Sequence, residues 1–118
     1  MPKFDAVLFD FDGTIADTSP GIKEGLRHTF ELNNMPVMSD SEMDRFIGPP
    51  LDDSFVKYCN VERDKAKAMV LQFREHYHVK AIDKFVIYDG LITALQVLFT
   101  FKNSSVQFFA RAFYFSAL

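Results

Sequence analysis

The sequence predicts an α/β fold in which a helical bundle is inserted after the first strand of a parallel sheet. Residues 4–10 form an apolar run that ends in aspartate, as is typical of a buried strand whose carboxyl end faces a ligand. Residues 18–84 carry apolar side chains at three- and four-residue spacing, which indicates helices. Residues 85–88 are extended, so we expect them to return the chain to the sheet.

The first two predicted helices have clear start and stop signals. Ser19 is a candidate N-cap, and Pro20 stands at the first helical position, where the missing N–H of proline is harmless. Ser39 and Glu42 form the Ser-x-x-Glu pattern of a capping box, which predicts the start of the second helix. Gly48, followed by a proline, ends that helix.

Two further helices complete the predicted bundle. One begins at Pro50, and the longest spans about 61–79 with Asn60 as its N-cap. One face of this longest helix is apolar and the other carries lysine and arginine, so we expect the apolar face to pack inward. The residues expected on that buried face are Ala66, Met69, Val70, Phe73 and Tyr77.

Charge and cysteine content exclude several classes of function. With 118 residues, a net charge of −3 and no basic run, the chain shows no sign of a nucleic-acid partner. Residues 91–101 are mostly apolar but too few to span a bilayer, so no membrane partner is expected. Cys59 is the single cysteine and no signal peptide is recognised, which together predict a cytoplasmic protein.

The composition changes abruptly after Asp89. All 16 aspartates and glutamates lie at or before this residue, and the only later charges are Lys102 and Arg111. Phenylalanine is abundant in the same segment. We therefore expect residues 99–118 to lie outside the fold, because truncation or a shifted reading frame after about residue 98 would produce this composition.

Asp10 and Asp12 stand at the end of the first apolar run with Gly13 directly after them, and this combination indicates phosphoryl transfer. A carboxylate at a strand end can attack phosphorus, and a second carboxyl two residues on can transfer the proton. Gly13 permits a sharp turn that lets backbone N–H groups face a phosphate. Two acids beside a phosphate need a hard cation, and Mg²⁺ accepts one or two carboxylates together with phosphate oxygens and waters.

Two other interpretations of the aspartate pair are weaker. An exposed turn with an N-cap does not suit a pair that follows a buried strand. A calcium-binding loop starting at Asp10 would need glycine at its sixth position and glutamate at its twelfth, where the sequence has Ile15 and Gly21. Phosphoryl transfer is therefore the better interpretation.

The histidines and the cysteine give no second candidate site by spacing. His76 and His78 are two residues apart, and side chains at that spacing on a helix do not face each other. His28 has no partner by spacing, and Cys59 is a candidate small core residue. We expect all three histidines on the solvated surface.

Residues 9–18, with the sequence FDFDGTIADT, resemble the first motif of the haloacid dehalogenase-like hydrolase superfamily. The helical insertion is similar to the cap of its phosphoglycolate phosphatase-like and 5′-nucleotidase-like members, and residues 46–51 and 86–90 resemble further landmarks of that subfamily. The resemblance implies a Rossmann-type core in which Asp10 is the nucleophile and Asp12 the general acid/base, both of them ligands of Mg²⁺.

The resemblance also implies the remaining site residues and the substrate. The phosphate-facing loop consists of Phe11, Gly13 and Thr14. Gly48 and Pro49 lie in a cap loop that covers the substrate, and Arg45 is a weaker candidate for contacting it. The implied partner is a small phosphorylated metabolite, such as phosphoglycolate or a nucleoside monophosphate.

The resemblance departs from the family pattern after about residue 98. The family continues with a strand ending in a phosphoryl-binding Ser or Thr, then a lysine and an acidic pair, whereas this chain has Gln-Phe-Phe-Ala around Phe109. Residues 1–17 and 86–118 are expected to form a partial core, and residues 18–85 the helical cap. We expect an enzyme by lineage, a Mg²⁺-dependent phosphatase acting through an aspartyl-phosphate, with little turnover from this chain. The alternative is a non-catalytic helical module that binds a partner.

Overall fold

The computed structural model of the protein describes residues 6–10, 12–100 and 105–109. These residues divide into two compact units. The first contains the described residues up to 18 and from 86 onward, and the second contains residues 19–85. No helix within the described ranges is long and apolar enough to cross a membrane.

The first unit holds a parallel pair of strands. Strand β1 (Ala6–Asp10) confirms the predicted first strand, and its neighbour is β4 (Ser105–Phe109). The register pairs the last residue of one strand with the last residue of the other, Asp10 with Phe109. Residues 105–109 fall within the segment expected to lie outside the fold, so for this stretch the structure differs from the expectation. This strand reads Ser-Val-Gln-Phe-Phe, and β-branched valine and aromatic phenylalanine both favour strands.

A second, short sheet in this unit was not predicted. Strand β2 (Ala16–Asp17) pairs antiparallel with β3 (Val86–Ile87), and the Tyr88 N–H donates to the Ile15 carbonyl at 3.4 Å. The sequence predicted a loop over residues 12–19, because a two-residue strand is too short to show a period. The pairing brings the segment that follows β1 beside the returning chain.

The second unit is helical, and all its predicted helices are present. Its elements are α1 (Ser19–Leu32), α2 (Asp40–Met43), a 3₁₀ turn (Asp44–Phe46), α3 (Leu51–Cys59), α4 (Arg63–His76) and a π-helical segment (Tyr77–Ala81). The π-helical segment directly continues α4, so the predicted single helix changes its hydrogen-bonding pattern near its end. Helix α5 (Leu91–Thr100) follows in the first unit.

Aromatic rings form the centre of the helical core. Phe30, Phe46, Phe55 and Phe73 are fully buried. Phe30 meets Phe46 and Phe55 edge-on, with ring centroids 6.0 and 6.4 Å apart, a favoured geometry for aromatic pairs. The apolar face predicted for the long helix is confirmed for its buried residues Ala66, Met69, Phe73 and Tyr77, while Val70 is half-buried.

Helix α1 approaches α4 and the π-helical segment closely because it carries two glycines. A Cβ atom at Gly25 would lie 2.6 Å from the Phe73 ring, and one at Gly21 would lie 2.4 Å from the Ala81 carbonyl oxygen. Such distances leave no room for a methyl group. The absence of side chains at these two positions therefore sets the distance from α1 to α4 and to the π-helical segment.

One helix cap was predicted correctly and another was not. The Ser39 N–H donates to Glu42 Oε2 at 2.8 Å, and the Glu42 N–H donates to Ser39 Oγ at 3.4 Å, which completes the predicted capping box. The prediction that Asn60 caps the start of α4 is wrong. Asn60 ends α3 with a left-handed φ of +53°, a conformation that asparagine tolerates, and Glu62 is the N-cap of α4.

Candidate active site

The aspartate pair lies where β1 ends and the following turn begins. Asp10 is the last residue of β1 and Asp12 lies two residues further along the chain, and both are half-buried. Parallel strands place such residues at their carboxyl end, where ligands of α/β proteins bind. Phe11 lies outside the described residues. The structure therefore places Asp10 and Asp12 close together where β1 ends, and ligand binding at this edge stays a prediction.

A tight turn after Asp12 shapes the loop. Gly13 has a φ of +75°, which glycine adopts without the strain that a Cβ would bring, and its N–H donates to the Ala16 carbonyl at 2.9 Å. The backbone of Asp12 also pairs with that of Ala16 in an isolated parallel β-bridge. Gly13 and Thr14 are exposed at the tip of this turn. The sharp turn predicted for Gly13 is thus present, while phosphate contact by Gly13 and Thr14 stays a prediction.

The surroundings of Asp12 favour its protonated form. Partial burial raises the pKa of Asp12, and the negative charge of Asp10 raises it further. A hydrogen bond from the Thr18 side chain opposes both effects and lowers the pKa. A carboxyl with a raised pKa suits a group that must donate a proton and later take one back.

Thr18 also lies at this site, and no role was predicted for it. Its side chain is buried, with an exposed fraction of 6%, and it contacts Asp12 from the end of the loop. Threonine is common before a helix, so residue type and spacing carried no signal for this contact. The structure assigns Thr18 to the positioning of Asp12.

The chemistry of the donors fits Mg²⁺. Within the described ranges no cluster of three or more histidine, cysteine, aspartate or glutamate side chains is arranged to hold a metal ion. Mg²⁺ does not need such a cluster, because it retains waters and binds through one or two carboxylates and substrate phosphate oxygens. Asp10 acts on the pKa of Asp12 as a neighbouring negative charge, and a cation between them would relieve that repulsion.

The predicted cap residues belong to the helical unit. Arg45 lies in the 3₁₀ turn, is exposed, and places its guanidinium carbon 5.8 Å from the centroid of the Tyr58 ring. Gly48 and Pro49 follow in an exposed bend, where Gly48 has a φ of +112°. Their contact with a substrate therefore stays a prediction.

Sequence and structure comparisons identify relatives of the chain. The family model described as "Haloacid dehalogenase-like hydrolase" matches residues 7–107. The match therefore extends past residue 98, after which the resemblance was expected to weaken. The pyrophosphatase PpaX of Oceanobacillus iheyensis is 41% identical over 90 residues, which cover 72% of this chain and 40% of that protein. A 5′-nucleotidase of Pseudomonas aeruginosa is 26% identical over 96 residues, covering 81% of this chain and 43% of its own.

Two solved structures are also similar to the chain. A Clostridium difficile protein superimposes with a TM-score of 0.81 and 30% identity, covering 92% of this chain and 49% of that one. A haloacid dehalogenase-like family hydrolase from Streptococcus pneumoniae superimposes with a TM-score of 0.75 and 28% identity, covering 87% and 48%. The chain thus spans about half the length of these two structures. It spans 40% and 43% of the length of the two curated relatives. Because the family match covers most of its residues and includes the aspartate pair, the chain belongs to the haloacid dehalogenase-like hydrolase family.

Proposed function

We propose that this chain carries the nucleophile and the general acid/base of a Mg²⁺-dependent phosphatase acting on small phosphomonoesters. The observation that carries the proposal is the proximity of Asp12 to Asp10, which ends its strand. Asp10 ends a strand of the parallel pair, and Asp12 lies close enough for the charge of Asp10 to raise its pKa. One carboxylate is thus suited to attack and its neighbour to hold a proton.

The proposed reaction has two steps. The Asp10 carboxylate attacks phosphorus, the bond from phosphorus to the leaving oxygen breaks, and Asp12 gives that oxygen its proton. Water then attacks the aspartyl-phosphate, Asp12 takes a proton from the water, and phosphate leaves with Asp10 regenerated. The raised pKa of Asp12 supports the first step, because it makes the protonated form that donates to the leaving oxygen easier to reach.

The residues that would hold Mg²⁺ are Asp10, through its carboxylate, and Asp12, through its backbone carbonyl, as the family resemblance implies. When bound, the ion neutralises charge on the phosphoryl oxygens and orients them. The protein contributes the fixed position of Asp10 at the strand end. Thr18 contributes by holding Asp12 from the far side of the turn.

The proposed substrates are small phosphate esters such as phosphoglycolate or a nucleoside monophosphate. The names of two relatives, a pyrophosphatase and a 5′-nucleotidase, support small phosphorylated compounds as the class. Arg45 is the proposed cap contact, because an exposed guanidinium attracts a second anionic group on the substrate. Gly48 and Pro49 would shape the loop beside it.

Turnover by this chain is expected to be small, so the test measures binding of a phosphoryl analogue. Beryllofluoride binds aspartate carboxylates in place of a phosphoryl group, and ¹⁹F NMR distinguishes bound from free fluoride. We expect a protein-bound signal that requires Mg²⁺, is lost in Asp10→Asn and persists in Asp12→Asn, which keeps the backbone carbonyl. Asp64→Asn, in the first turn of α4, is the matched control and keeps the signal. A bound signal that survives Asp10→Asn would contradict the proposal.

One observation favours a second candidate function, in which the chain is a binding module whose partner is a second copy of itself. Val86, Ile92 and Val97 of the first unit are exposed by 62%, 59% and 51%, and large apolar side chains such as these would be covered by a partner at an interface. Size-exclusion chromatography over a concentration series tests this candidate. Self-association that Ile92→Lys abolishes supports it, and a monomer at every concentration contradicts it.

A further inference from the structure

Helix α5 has the composition of a core helix but the exposure of a surface helix. Apart from Thr93, Gln96 and Thr100 its residues are apolar, and none is charged. A helix that is apolar on all sides is normally buried inside a protein. Of the side chains that the structure describes on α5, at residues 91–97, none is buried, and Ile92 is exposed by 59%. The helix therefore calls for a cover.

Strand β3 shows the same contrast in the first unit. Val86 and Ile87 are both exposed, although successive side chains of a strand point to opposite faces. The next residue, Tyr88, is exposed as well. We refer to Val86, Ile87, Tyr88 and Ile92 together as the open surface. Each of these side chains is large and apolar or aromatic, so contact with another protein surface would remove them from water.

The parallel sheet of the same unit has room for further strands. Among the residues that the structure describes, this sheet consists of β1 and β4. All-parallel sheets occur almost only in α/β proteins whose helices cover both faces of the sheet. A strand at the edge of a sheet also offers backbone N–H and C=O groups to an additional strand. The first unit can therefore accept strands as well as apolar side chains.

The solved relatives indicate what the cover is. The Clostridium difficile structure superimposes on 92% of this chain, whereas this chain spans only 49% of that structure. About half of the fold therefore has no counterpart in this chain. By the family pattern, that half continues after about residue 98 and carries a lysine and an acidic pair. Because an α/β core packs further strands and helices around its parallel strands, this half is the cover that fits the open surface.

Charge excludes two other kinds of cover. Helices that lie on a membrane surface carry lysine and arginine on their polar face, whereas α5 has no charged residue. Nucleic acids are held by lysine and arginine contacts with phosphate, and the open surface contains neither residue. An apolar protein surface is the cover that matches it.

We propose that the open surface is an interface for the half of the haloacid dehalogenase-like fold that this chain does not span, and that it accepts this half as a separate polypeptide. The partner packs apolar side chains on Val86 and Ile92 and adds strands beside the parallel pair. It also brings the lysine and the acidic pair of the family pattern to the unit that holds Asp10. This last consequence rests on the proposed function, whereas the interface does not.

Co-expression with a fragment of a relative tests the interface in the full chain. The affinity-tagged chain is produced together with the part of the Oceanobacillus iheyensis pyrophosphatase that follows the matched segment. That segment is 41% identical to this chain, so the part that follows packs on a similar surface. We expect a complex with one copy of each polypeptide, measured by native mass spectrometry after affinity capture. The matched segment itself is the control fragment and should not be captured, because it repeats what this chain already contains.

Substitutions locate the interface on the chain. Ile92→Lys and Val86→Lys each introduce a charge that would lose its water on binding, so each should lower the captured fragment about tenfold or more. Leu71→Lys, on α4 of the helical unit, is the matched control because Leu71 is exposed by 65%, and it should leave capture unchanged. Circular dichroism verifies that the three variants are folded.

Capture is scored without any measurement of hydrolysis, so the interface and the proposed chemistry can fail separately. The proposal fails if neither this fragment nor the corresponding part of the Clostridium difficile protein is captured. It also fails if both open-surface variants capture as much fragment as the wild type. Capture of a second copy of the chain in place of the fragment would contradict it as well.

Discussion

Asp10 and Phe109 are paired residues on adjacent parallel strands, each the last residue of its strand. The carboxyl ends of β1 and β4 therefore meet at one edge, and the residue paired with the proposed nucleophile is a phenylalanine where the family pattern has serine or threonine. A phosphoryl group held by Asp10 has no hydroxyl donor from this neighbouring position. Positioning and charge stabilisation provide most of the catalysis of phosphoryl transfer, so under the proposed function we expect this pairing to limit turnover.

The first prediction concerns the residue that is paired with the nucleophile. Phe109→Thr is expected to raise Mg²⁺-dependent hydrolysis of p-nitrophenyl phosphate by about tenfold. A fully positioned donor is worth about 10²–10³ in rate, and a newly introduced one gains only part of that. Released nitrophenol is measured at equal protein concentration.

Phe108→Thr is the matched control for this substitution. Phe108 is paired with Phe9 rather than with Asp10, so a hydroxyl there is not beside the nucleophile. Its rate should equal that of the wild type. Equal rates in all three proteins would show that residue 109 does not limit the reaction.

The second prediction concerns the hydrogen bond between Thr18 and Asp12. Thr18→Val keeps the shape of the side chain and removes the donor, so the pKa of Asp12 should rise further. Thr18→Ser retains a hydroxyl and should leave it unchanged. The Asp12 carboxyl carbon is followed by NMR as the pH changes. A pKa that is the same in the valine and serine variants would remove Thr18 from the site.

The third prediction concerns stability and follows from the same raised pKa. Because the fold raises the pKa of Asp12, the folded state binds a proton more tightly than the unfolded chain, whose aspartates titrate near about 4. The contribution of Asp12 to the free energy of unfolding is therefore lost as the pH rises from about 4 through the raised pKa. Above the raised pKa this contribution is constant. Asp10→Asn removes one cause of the rise and should reduce this loss. Urea unfolding at several pH values measures it, and an unchanged profile would show that the two carboxyls do not interact.

The fourth prediction concerns the close approach of α1 to α4. Gly25→Ala should destabilise the chain by about 1–2 kcal/mol, because the overlap with Phe73 outweighs the gain in helix propensity. In the double variant with Phe73→Leu the ring edge is gone, so the cost of the added methyl should largely disappear. Thermal unfolding followed by circular dichroism gives the three values. Strictly additive effects would show that the two residues do not share this space.

The helical unit could be predicted well because its signals are local. The capping box at Ser39 and the apolar face of α4 are visible as spacing along the chain, and both are confirmed. Asn60 was misassigned because asparagine is common both at N-caps and in the left-handed position that ends a helix. Residue type alone cannot distinguish these two uses.

The contacts that sequence could not predict join residues far apart in the chain. His28 meets His76 across two helices, and the pairing of β2 with β3 joins two-residue strands that carry no period. At the candidate site the same limit applied to Thr18, whose contact with Asp12 depends on how the loop folds back. Asp10 and Asp12 were identifiable because their chemistry and their place after an apolar run coincide.

The most direct test of the central claim is to identify the residue that accepts a phosphoryl group. The chain is treated with Mg²⁺ and acetyl phosphate, reduced with borohydride, digested and analysed by mass spectrometry, which detects an aspartyl-phosphate as homoserine. The account predicts homoserine at position 10, only when Mg²⁺ is present, and none in Asp10→Asn. Homoserine at position 12, or no conversion at position 10 with Mg²⁺ present, would contradict it.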